Sequence, residues 1–198
     1  MKFLFVLMLS LLSEGANTLE IQITRGNCSP IINISLADKT QVEAIFGPPP
    51  YSFERILDGT LTALRCTERT TKDVTSRLKA LLFAIDQVIV LKEEFITPAF
   101  DAYQKELDNV QLHLLTSYFR EMTSKLEIAI NDYVSLRAQG ATLLNEREAI
   151  DLRNALRDKH VYASLWDPIR AREEYDQNLS ELKRQRGVLS EKISRQKR

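Results

Sequence analysis

Between Tyr51 and Arg198 the chain carries only three glycines (Gly59, Gly140, Gly187) and two prolines (Pro98, Pro168). Breakers that sparse leave long helices as the natural outcome. The apolar pattern agrees. Phe53, Leu57, Leu64, Val74, Leu78, Leu81, Ile85, Val88 and Phe95 share one helical register, with Thr60, Thr67, Thr71 and Lys92 filling its gaps. Leu82, Ile89 and Ile96 widen that face, so its second half is expected to bury against more than one neighbour.

Thr97-Pro98 pairs an N-cap with a first-turn proline, which starts a second helix or bends a long one. The next stripe runs Tyr103, Leu107, Val110, Leu114. It then slips by one residue to Leu115, Phe119, Met122, Leu126, Ala129, Tyr133 and Leu136. Such a slip rotates the seam or changes its partner. Asn145 to Glu148 fits a capping box, followed by Ala149, Leu152, Ala155 and Leu156 on one face. Asp167-Pro168 caps a last helix. Its seam is Tyr175, Leu179, Leu182, Arg186, Leu189, Ile193, apolar but for one arginine. The first two helices would each run about 60 Å at ~1.5 Å per residue. The expected fold is therefore mainly α: an elongated antiparallel helical bundle or coiled-coil hairpin over 52–198, behind a small N-terminal β-containing segment.

That segment spans 16–46. Leu19 to Thr24 alternates apolar and polar, Arg25-Gly26-Asn27 is turn chemistry, and Ile31 to Leu36 reads as a returning strand. Asp38 to Phe46 reads as a short helix, and the Pro-rich 47–51 as a stiff linker. Ahead of all this, Met1-Lys2, the apolar run Phe3 to Leu12, and small residues at 13 and 15 match a signal peptide over 1–15. Export to periplasm or extracellular medium is the expectation. Cys28 and Cys66 would then pair, stabilising the fold by about 3–4 kcal/mol on the chain-entropy model. Three sequons stand at Asn27, Asn33 and Asn178.

Acidic and basic side chains balance at 27 each, so no global charge drives the chain toward nucleic acid. Residues 183–198 are the exception, with seven basic groups against Glu191. A weak contact of this basic C-terminus with an anionic surface is expected.

No catalytic, metal or cofactor set emerges. His113 and His160 are the only histidines, and neither has a Glu three residues earlier, as a di-iron helix needs. No nucleophile elbow or glycine-rich phosphate loop occurs. Glu93-Glu94 and Glu173-Glu174 flank helical stripes and read as solvated faces. Asp86-Gln87 interrupts the apolar run Ala80 to Leu91 and reads as part of a core helix. The expected function is thus non-enzymatic: a protein partner, or self-association, engaged through helix faces such as the Tyr175–Ile193 seam, with no nucleic acid involved. The alternative is a membrane-active or pore-forming helical protein.

Overall fold

The computed structural model describes residues 19–24, 27–34, 53–70, 72–138, 141–157 and 167–196. The expected signal peptide, the Asp38–Phe46 helix and the linker 47–51 lie outside the described residues. The described part is mainly α. Strand β1 (Leu19–Thr24) pairs antiparallel with β2 (Asn27–Ile34), Leu19 opposite Ile34 and Gln22 opposite Ile31.

Helix α1 (Phe53–Thr70) turns Ile56, Leu57, Thr60, Ala63, Leu64, Cys66 and Thr67 inward. Its two buried threonines cost little, because each hydroxyl donates back to its own helix: Thr60 to the Ile56 carbonyl at 2.6 Å, Thr67 to that of Ala63 at 2.7 Å. The long first helix expected from the sequence is split here. Asp73 accepts the Ser76 N–H at 2.7 Å and caps a new helix, α2 (Val74–Leu91). The Arg77 guanidinium donates to the Glu68 carbonyl at 3.1 Å and ties the corner. A continuous apolar register hid this break, because α2 resumes nearly in phase with α1.

Helix α2 is the centre of the molecule. It packs on α1 and on the later helices α4 (Asn109–Ser135) and α6 (Pro168–Gln196), with β2 also against it. From Leu78 to Leu91 every residue is buried except Lys79, Asp86 and Val90, which are half-buried. A π-helical turn, Lys92–Ile96, carries it into the short α3 (Thr97–Asp101). Pro98 lacks an N–H and would break a regular ladder; the wide turn just before it absorbs the missing bond. Thr97 is therefore no N-cap: Ile96 before it is itself helical and no side chain caps α3, so the long helix continues through the proline instead of starting afresh. The chain leaves helical geometry only after Asp101, through Gln104 at φ 66°, before Asp108 and Gln111 form a capping box that opens α4.

This reset explains why half of one expected stripe points outward. Tyr103 and Leu107 lie before α4, so their phase does not carry into it. Val110 and Leu114 are exposed, while Leu112, Thr116, Thr123, Leu126, Ile130 and Tyr133 face the core. A two-residue strand pair, Arg137–Ala138 with Ala141–Thr142, follows α4. Helix α5 (Glu146–Leu156) then starts on the expected Asn145–Glu148 capping box. Asp167 accepts the Arg170 N–H at 2.9 Å at the start of α6.

Candidate functional site

Helix α6 packs on α2 and α5, and its contacts decide which surfaces remain available. Its seam residues Tyr175, Leu179, Leu182, Leu189 and Ile193 are all buried in the common core, with Arg186 half-buried among them. The expected docking seam is corrected on this point: α6 spends it on α2 and α5 of its own chain. The reason is visible at the one residue that breaks the stripe. Arg186 donates to Asp86 on α2 at 2.8 Å, so the lone arginine of one seam answers the lone carboxylate of the other. Burial pushes the Asp86 carboxyl above its ordinary value, against the pull of Arg186.

Six residues further along, Lys92 is completely buried. Its Nζ donates to Asn178 Oδ1 at 2.9 Å and lies 5.9 Å from the centre of the Tyr175 ring. The Tyr175 hydroxyl donates to the Lys92 carbonyl at 2.9 Å and sits 3.0 Å from Thr97 Oγ1. The Asn178 amide nitrogen donates to the Ala155 carbonyl at 3.0 Å, which ties α5 to the same knot. A glycan on Asn178 would replace one of the two hydrogens of that nitrogen, which also reaches the Arg157 carbonyl at 3.5 Å. The Lys92 carbonyl accepts both the Thr97 N–H that closes the π-turn and the Tyr175 hydroxyl. The cluster holds three helices in register.

The basic C-terminal stretch is also engaged. Lys183 pairs with Glu93 at 2.6 Å, Arg184 with Glu181 at 2.7 Å, Lys192 with Glu148 at 2.5 Å and Arg195 with Glu191 at 2.6 Å. Arg172 reaches Asp101 at 2.6 Å and Asp176 at 2.8 Å. Carboxylates therefore offset the described part of the positive charge read from the sequence, which weakens the case for an anionic surface. At Glu148 burial opposes ionisation, but bonds from Lys192 and the Asn145 N–H outweigh it and hold the carboxyl below its ordinary value.

The expected Cys28–Cys66 bridge is also corrected: no disulfide is present among the described residues, and Cys66 is a buried thiol. It lies on the inward side of α1 between Ala63 and Thr67, where a thiol fills space as a small apolar group. A pocket of about 20 Å³ between α5 and α6, lined by Leu144, Leu152, Val188 and Leu189 among others, has room for about one water. No cluster of potential metal ligands occurs among the described residues. Among them, no helix is long and apolar enough to cross a membrane.

The apolar surface that remains lies chiefly on the outer side of α4. Val110 is 57% exposed, Leu114 62%, Tyr118 47% and Ile128 60%. At 100° per residue these four fall within about 80° of arc, over some 27 Å of helix. The sequence contained part of the signal: Asp108-x-x-Gln111 marks a new helix start, so the phase of Tyr103 and Leu107 need not carry into Val110 and Leu114. Compared with family models, curated proteins and solved structures, the chain gives no match.

Proposed function

We propose that this chain is a non-enzymatic, exported helical protein that works through protein–protein contacts, in an adaptor, assembly or scaffolding role. The single observation that carries the reading is the outer face of α4. Large apolar side chains there line one arc of a long helix. Aligned exposed apolar groups of this kind favour partners, whereas singly scattered ones need no explanation. The polar groups of the interior serve the fold in this reading: Lys92, Asn178, Tyr175, Asp86 and Arg186 bond to one another or to backbone. The helices form an elongated antiparallel bundle, with the N-terminal β-segment as a small cap against α1 and α2.

The test is a photo-crosslinking amino acid at position 114, in the full chain expressed in its native source. A discrete protein adduct is expected there, with none when the probe replaces exposed Gln177 on α6. Absence of any protein adduct at 114, or equal capture at 177, would contradict the reading.

A further inference from the structure

We propose that the outer face of α4 is a self-association surface that takes α4 of a second copy of this chain in antiparallel orientation. This rests on the contact-making reading above and names its partner.

The order of residues along the face favours a copy of itself. Val110, Leu114 and Tyr118 lie toward the N-terminal end, exposed Glu121 and Lys125 occupy the middle, and Ile128 follows. A parallel pair would place Glu121 against Glu121 and Lys125 against Lys125, which repels. A two-fold axis crossing the helix between Glu121 and Lys125 avoids this. Each Glu121 then lies opposite Lys125 of the second copy, and each Tyr118 lies opposite Ile128. Leu114 falls beside Ile128 and Asp132 of that copy. Every such contact occurs twice, as a closed two-fold interface requires. Ser117 and Ser124, small and half-buried at the margin of the stripe, let the backbones approach.

A lipid surface is a poor fit to the same residues. A helix lying on an anionic membrane carries basic residues beside its apolar face. This face carries Glu121 and Asp132 against Lys125. The strip is narrow, so the dimer belongs at the small, reversible end of interface sizes, below about 1,200 Å² in total.

The experiment is sedimentation velocity of the purified, reduced full chain over a range of concentrations. Wild type is expected to move from the mass of one chain to that of two. Leu114→Glu should stay at one chain mass while its far-UV circular dichroism matches wild type. Glu121→Lys and Lys125→Glu should each weaken the dimer about tenfold or more. The double exchange, Glu121→Lys with Lys125→Glu, should recover most of that loss, because each lysine again faces a glutamate. A chain that remains single at every concentration overturns the proposal, as does a dimer that survives Leu114→Glu or a double exchange that recovers nothing. These failures are distinct from failure of the broader reading. A single-mass chain that still crosslinks to another protein at position 114 loses only the self-association, whereas no adduct at 114 removes the contact reading itself.

Discussion

Removing Arg186 should cost far more than removing Asp86 and Arg186 together. The pair spans α2 and α6 at 2.8 Å, with the Asp86 side chain 13% exposed and that of Arg186 27% exposed. Arg186→Met leaves a carboxylate in the core without its guanidinium. Stranding one partner of a fully buried pair costs about 3–5 kcal/mol; the residual exposure here lowers that to about 2–3. Asp86→Leu leaves an arginine whose head can reach water, at a cost of about 1 kcal/mol. The double variant, Asp86→Leu with Arg186→Met, continues both apolar seams. It should lie within about 1 kcal/mol of wild type, a coupling of about 2 kcal/mol or more. Urea unfolding of all four proteins reads this directly, provided the slope with denaturant is unchanged. Acidity adds a check. Burial holds the folded Asp86 carboxyl above its ordinary value, so the folded state binds that proton more tightly than the unfolded state. The group's contribution is therefore greatest below its unfolded pKa, about 4, and is lost as pH rises through its folded value. The deficit of Arg186→Met should shrink toward about pH 4, where Asp86 is protonated more readily still without its partner. Additive single-variant losses, or an Arg186→Met protein as stable as wild type near neutral pH, would refute the reasoning.

Four further outcomes follow from particular residues. Gly187→Ala in α6 should stabilise the chain by about 0.5–1 kcal/mol in denaturant unfolding, because nothing lies within 4 Å of the added Cβ. Gln104→Gly should stabilise by a similar ~0.5–1 kcal/mol, since φ at Gln104 is 66° and glycine alone adopts that region freely. Glu148→Ala should lose about 1–2 kcal/mol near neutral pH, removing both a helix cap and the partner of Lys192. Because its folded carboxyl is held below the ordinary value, that loss should fade as pH drops through the folded pKa. Cys66 should resist alkylation in the folded, unreduced protein and react on unfolding, read by mass; a Cys66 that stays unreactive in denaturant until reductant is added would show a disulfide.

The helices were legible because their faces obey one period and their caps are written in residue type. Asn145 with Glu148, and Asp167 before Pro168, mark starts that the structure places at those residues. Two breaks were missed for one reason: register was followed across them. Between α1 and α2 the phase barely changes, so only the Asp73-x-x-Ser76 cap could reveal the break. At 102–108 the phase does change, and extending Tyr103 and Leu107 into Val110 and Leu114 turned an exposed face into a supposed core. Thr60 and Thr67 sit inward in the register the sequence assigned them and, like Thr116, are buried yet satisfied by their own helix carbonyls. Pairing between distant segments is the part no local pattern carries. Asp86 and Arg186 each stood out as interruptions, but only the packing of α6 on α2 makes one the answer to the other.

Which greasy stripe faces water is the point on which the account turns, and thiol labelling decides it. In a chain lacking Cys28 and Cys66, single cysteines at positions 114 and 182 would be labelled under dilute native conditions. Position 114 should react rapidly and position 182 only on unfolding, as 62% and 0% exposure require. A native cysteine at 182 that labels as fast as one at 114 would mean that α6 is not docked, and the account would be wrong.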